Sequence, residues 1–201
     1  MQDADGGQRG LPLVAVPQHE RERVLDTLVA AFAEDPVERW LYPGDEDYRS
    51  YFRQFLAAFG GNAFGARTVW RLGDFDAVAM WMPPGVEPDG EAIAALLTTT
   101  VGSAKQRDTF AVLEQMDAAH PRYPHWYLPW LGVLPKGRGQ GLGSRILAQC
   151  LEIVDASRLP AYLETPNPRT LPLYERHGFE PIGGAQSGEC PPITFMARPA
   201  R

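Results

Sequence analysis

Residues 126–157 read WYLPWLGVLPKGRGQGLGSRILAQCLEIVDAS, and the order of side chains in this stretch decides the architecture. Its first eight residues, Trp126–Val133, are apolar and aromatic without a charge, the pattern of a strand buried on both faces. Pro135 and Lys136 follow, and then Gly137, Gly139, Gly141 and Gly143 alternate with Arg138, Gln140 and Leu142. From Leu142 onward Ile146, Leu147, Cys150, Leu151 and Val154 recur at helical spacing. The stretch is therefore strand, glycine-rich turn, helix. A helix start leaves N–H groups without partners and carries the positive end of the macrodipole. Glycines allow the preceding turn to approach an anion closely, and Arg138 adds a permanent charge with a planar fork of donors. The guest this predicts is a phosphate or pyrophosphate.

Two familiar phosphate loops are excluded by spacing. In G-x-G-x-x-G the third glycine fails, because Ser144 stands three residues after Gly141 and Ile146 three after Gly143. No Gly-Lys-Ser/Thr closes the turn as a P-loop requires. The run from Val133 to Gly143, VLPKGRGQGLG, instead resembles the V-x-P-x-x-R-G-x-G-x-G/A signature of the GNAT superfamily of acyl-CoA-dependent N-acetyltransferases. That resemblance implies that the loop holds the pyrophosphate of acetyl-CoA, the acyl donor. A plain glycine-rich strand–helix connection is the alternative reading of the same residues.

Composition sets outer limits. A chain of 201 residues can bury one substantial core, with 44% hydrophobic and 22% charged residues. The net charge of −6 argues against nucleic acid as a partner. The two cysteines, Cys150 and Cys190, form no cluster with histidine at metal spacing, so no metal is expected. The polar, acidic amino terminus is no signal peptide, and no apolar run approaches membrane-spanning length; a cytoplasmic protein that engages no membrane is predicted. Residues 1–10 read as a disordered leader and 11–201 as one domain, monomeric or homodimeric.

Before the central stretch, Leu11 to Val16 is a first strand and His19 to Phe32 an amphipathic helix. Glu34 to Pro43 breaks that helix with two prolines, and Asp45 to Phe59 is a second, aromatic-rich helix. Thr68 to Leu72 and Ala77 to Met82 flank GDFD as a hairpin, and Gly90 to Thr100 and Ala104 to Ala118 read as helices. After it, Ala161 to Thr165 is a strand parallel to the central one by the crossover rule, a short helix begins near Thr170, and Glu180 to Ile182 and Ile193 to Arg198 are closing strands. The sum is an α/β domain with a mixed sheet flanked by helices.

Asn167, Tyr174, Gly178 and Phe179 fill a second pattern, N-x-x-x-x-x-x-Y-x-x-x-G-F, similar to the other signature of that superfamily. With the F-x-x-D-P-x-x-x-W-x-x-P run, HWYLPWLGV and LETPNPRTLPLYERHGF, the chain looks most like the puromycin N-acetyltransferase-like branch. The resemblance implies a GNAT fold: a mostly antiparallel sheet splayed between its two central parallel strands, with the thioester entering the gap. Leu131, Gly132 and Val133 are then expected to pair with the pantetheine arm, and Arg138, Gly139, Gln140, Gly141, Leu142, Gly143 and Ser144 to take the pyrophosphate. Asn167 would bond the pantetheine or merely cap the turn before Pro168. Tyr174 would protonate the departing thiolate, or is a half-buried helix aromatic.

Direct acyl transfer also needs a base for the amine. The resemblance implies a glutamate on the central strand, as in many members of the superfamily, but WYLPW has no carboxylate. Glu164 is the candidate, with an exposed strand-end charge as its alternative reading. Glu34, Asp35 and Glu38 lie on the acceptor side and could serve instead. Trp40, Tyr42, Tyr51, Trp81, Trp126 and Trp130 suffice for an aromatic acceptor pocket or for core. His125 and His177 read as structural, one in a turn and one near a helix end. The expected function is acetyl transfer to an amine of a small molecule; the alternatives are acetylation of a protein amino terminus or lysine, and an acyl-CoA sensor without catalysis.

Overall fold

The computed structural model describes residues 11–201, and the expected leader lies outside them. Strand β1 is Val14–Ala15, followed by helices α1 (Arg21–Ala31) and α2 (Pro36–Leu41). Helix α3 (Asp45–Asp47) runs through a π-type turn, Tyr48–Phe52, into α4 (Arg53–Gly60), with the short α5 (Asn62–Gly65) behind it. Then come β2 (Val69–Leu72), β3 (Ala77–Met82), α6 (Gly90–Thr100), α7 (Ser103–Ala119), β4 (Trp126–Val133) and α8 (Leu142–Ala156). The chain closes with β5 (Ala161–Thr165), α9 (Leu171–Arg176), β6 (Glu180–Ala185) and β7 (Ile193–Arg198). Among the described residues no helix is long and apolar enough to cross a membrane.

Strand β6 runs on through Ala185, past the expected Ile182, because Gly183 and Gly184 still pair with Phe195 and Thr194, and two further segments differ from the sequence expectation for definable reasons. The first strand is only two residues long, because Pro12 has no N–H for the ladder and the Leu13 N–H bonds the Gln149 side chain at 2.8 Å. The Glu34–Pro43 segment, read as a break, contains α2. Pro36 stands at its first position, where a missing N–H costs nothing, and Asp35 Oδ1 accepts from the N–H groups of Val37 (3.0 Å) and Glu38 (3.2 Å). The proline starts a helix rather than ending one.

The sheet order is β1-β2-β3-β4-β5-β7-β6, and every neighbouring pair except β4–β5 is antiparallel. All six residues of β3 are buried, so it forms the middle of the core. Val78 and Met80 face α1, α4 and α6, whereas Ala77, Ala79 and Trp81 face α8. Cys150 is fully buried on that second face, as its place on the apolar stripe of α8 predicts.

Two irregularities shape the middle of the sheet. Met80 pairs with Trp130 but Met82 pairs with Tyr127, so β4 holds one extra residue around Leu128–Pro129. Pro129 has no N–H to give the ladder, which makes it compatible with a bulge. On the other edge, β4 meets β5 in register only at Trp126↔Ala161 and Tyr127↔Tyr162. Beyond those two pairs the strands diverge, and β5 continues on β7 alone through Thr165↔Thr194. The sheet is splayed between its central parallel strands.

Candidate active site

A cavity of about 1160 Å³ occupies this divergence. Leu131, Gly132, Val133, Arg138, Gly139, Gly141, Leu142, Gly143, Ser144, Glu164, Asn167 and Tyr174 all line it; of the residues singled out for donor binding and catalysis, Gln140 alone does not. The Gln140 amide instead donates to the Lys136 carbonyl at 2.8 Å.

The turn before α8 is shaped by backbone. Gly139 and Gly141 sit in the left-handed region at φ 73° and 78°, which costs any residue with a Cβ about 1–2 kcal/mol. The first intrahelical bond runs from the Arg145 N–H to the Gly141 carbonyl at 3.0 Å. The N–H groups of Leu142, Gly143 and Ser144 are therefore the orphan donors of this helix start, at the cavity wall. That is the fit a diphosphate requires. Arg138 spans outward to α1, with Nη1 2.9 Å from Glu34 Oε2 and Nη2 2.8 Å from the Ala31 carbonyl. The Ser144 hydroxyl lies 2.7 Å from His177 Nε2. Gly132 lets α1 approach β4: a Cβ there would stand 2.8 Å from Ala31 Cβ and 2.9 Å from Leu28 Cδ2.

The second signature segment closes the other side. Asn167 Oδ1 accepts the Arg169 N–H at 3.1 Å, so this side chain caps its own turn while lining the cavity. Tyr174 is 7% exposed, and burial first, then the charge of Asp35, pushes its phenol well above the ordinary value. The phenol is thus a proton donor at neutral pH.

Carboxylates gather at two points. Glu164 is not an exposed strand-end charge: its side chain is 6% exposed, the Tyr127 hydroxyl donates to its Oε2, and His120 Nδ1 stands 3.8 Å from Oε1. At the opposite wall burial raises Asp35 to about 6, partly offset by the N–H groups of Glu38 and Val37. Glu38 is raised further by burial and then by Asp35, and its buried Oε2 has no hydrogen-bond partner. Among the described residues no group of three or more His, Cys, Asp or Glu is placed to hold a metal ion.

Of the six aromatics offered for an acceptor pocket, Trp40 and Trp130 line the cavity. Tyr42 and Tyr51 pack together in the core, and Trp81 and Trp126 pack against each other on the α8 face. Phe32, Phe55, Phe59 and Tyr127 take their places. Sequence reasoning assigns no role to His120. No spacing connects His120 to Glu164; the end of α7 and the turn into β4 bring them together.

The model of the acetyltransferase (GNAT) family matches residues 31–179. An uncharacterised N-acetyltransferase of Schizosaccharomyces pombe is 26% identical over 200 residues, covering 91% of this chain and 81% of the yeast protein. Among solved structures, a Corynebacterium glutamicum protein described as histone acetyltransferase HPA2 and related acetyltransferase is 25% identical, with a TM-score of 0.65 over 95% of this chain and 97% of that one. Arylalkylamine N-acetyltransferase 2 of Aedes aegypti shares the fold at 12% identity and a TM-score of 0.70, over 96% and 100% of the two chains. The matched span runs from the end of α1 to Phe179 and takes in the glycine turn and Tyr174, and on that ground the chain belongs to the GNAT acetyltransferase family and is a GNAT-type N-acetyltransferase.

Proposed function

We propose that the chain transfers an acetyl group from acetyl-CoA, the donor of its family, to an amine of a small molecule by direct attack. One observation carries this reading: the glycine turn, the diverging strands, Tyr174, Glu164 and the carboxylates of Glu34, Asp35 and Glu38 all open into a single cavity. On it, the N–H groups at the head of α8 take the diphosphate, β4 receives the pantetheine arm, Glu164 removes a proton from the acceptor and Tyr174 protonates the leaving thiolate. The acceptor end is lined by Val37 and Trp40 of α2, Phe55 and Phe59 of α4, Leu97 of α6 and Val112 of α7, an apolar and aromatic lining that suits the hydrocarbon part of a small amine. Arylalkylamine and polyamine N-acetyltransferases are built on the same fold. A second base has its own support: Asp35, raised to about 6, is the carboxylate whose charge bears on Tyr174.

Release of free thiol from acetyl-CoA is the test, run against a panel of aminonucleosides, polyamines and aryl amines. Turnover with at least one of them is expected; donor binding without thiol release from any would make the chain a sensor instead. Tyr174→Phe is expected to lower kcat about 100-fold and leave the Kd for CoA unchanged. Loss of affinity with normal turnover would remove the acid role.

A further inference from the structure

Behind Glu164, away from the cavity, lie two histidines whose protons can be assigned from geometry. His120 caps the end of α7, and His125 directly precedes β4. Their Nε2 atoms are 3.0 Å apart, and His125 Nδ1 is 2.8 Å from the Tyr123 carbonyl. A carbonyl only accepts, so His125 carries its proton on Nδ1. Burial lowers the pKa of His125 and favours its neutral form, so its Nε2 is a lone pair. The proton in the 3.0 Å contact then belongs to His120. What remains of His120 is Nδ1, the atom facing Glu164 Oε1 across 3.8 Å.

The surroundings hold this arrangement in place. The rings of His125, Tyr127 and Tyr162 stand 4.8, 4.9 and 4.9 Å from that of His120, the two tyrosines edge-on. The Tyr127 hydroxyl occupies Oε2 of Glu164, leaving Oε1 to face the imidazole. Asp117, on the preceding turn of α7, is bound by Arg122 at 3.1 Å and does not compete.

We propose that His120 is a positioning residue that takes from Glu164 the proton removed from the acceptor and passes it to solvent, with His125 fixing its tautomer. This rests on Glu164 being the base. An acceptor N–H bond breaks and its proton moves to the Glu164 carboxylate. That proton crosses to His120 Nδ1, leaving an imidazolium opposite a restored carboxylate. The imidazolium side chain is 29% exposed and returns the proton to water. No other reactant is needed, and the base is reset without opening the cavity.

The experiment compares kcat and KM for the wild type, His120→Ala and Glu164→Gln with the best amine of the panel. Glu164→Gln is expected to lose about 100-fold in kcat, and His120→Ala about 10-fold with KM for the acceptor and Kd for CoA unchanged. Added imidazole should restore the His120→Ala rate. A wild-type rate in His120→Ala, or a loss that imidazole does not rescue, overturns the relay while the base assignment stands. Full turnover in Glu164→Gln removes the base assignment, and the relay with it. Should His120→Ala fail to fold, His120→Gln keeps most of the side-chain volume and takes its place: a kcat equal to that of the wild type overturns the proposal.

Discussion

The two walls of the cavity are built from different materials. At the head of α8 the groups turned inward belong to the backbone, and the side chains either are absent, as at Gly139 and Gly141, or are engaged elsewhere, as Arg138 is with Glu34 and Ser144 with His177. At the acceptor wall the inward groups are side chains held by one another: Trp130 is met by Phe32, Phe52, Phe55 and Phe59 at centroid distances of 5.2 to 6.1 Å. A backbone wall can recognise one invariant chemical group while the rest of the chain changes. A packed side-chain wall selects its guest by shape, and changing it disturbs the core.

The largest effect expected from this contrast is on stability. Trp130→Ala removes the hub of the aromatic cluster and is expected to cost about 3–5 kcal/mol in denaturant unfolding. A loss near zero would mean that the acceptor wall is not structural. On the opposite wall, Gly141→Ala has open space for its Cβ but must hold a left-handed backbone. The expected result is roughly 10-fold weaker CoA binding by calorimetry, from about 1–2 kcal/mol of strain at the turn. Equal affinity would show that the turn does not bind the diphosphate.

The third effect reverses the usual sign. Asp35 is raised in the folded protein, so the native state holds a proton that the unfolded chain releases, and stability falls as pH rises from about 4 towards 6. Asn at this position keeps the cap oxygen for Val37 and Glu38 without the buried charge. Asp35→Asn is therefore expected to gain on the order of 1–2 kcal/mol at pH 7 and nothing at pH 4. Unfolding at both pH values checks it; destabilisation at pH 7 would sink the account of the shift.

The same contrast explains what the sequence made legible. A backbone site is written in local order, and the four alternating glycines after an apolar strand marked the donor wall, strand and helix included. Helix α6 and strands β3, β4, β5 and β7 fall where alternation, apolar runs and glycine boundaries put them. The acceptor wall is assembled from residues far apart in the chain. Six aromatics were equivalent on paper, yet β-strand parity sends Trp81 and Trp126 to one face and, past the bulge at Pro129, Trp130 to the other. Glu164 reads equally as a candidate base and as a strand-end charge, until Tyr127 and His120 are seen against its buried side chain. Helix α2 was concealed by Pro36, whose effect depends on whether a helix ends or begins there.

Strands β4 and β5 touch through two residue pairs, so the two halves of the sheet are joined at a seam with little backbone bonding of its own. A donor threaded along that seam would act as a missing strand and favour the folded state by mass action, about 2.7 kcal/mol at a hundredfold excess over Kd. The lifetime of such an enzyme would then follow the acyl-donor supply around it, with starved molecules opening first where β4 and β5 part.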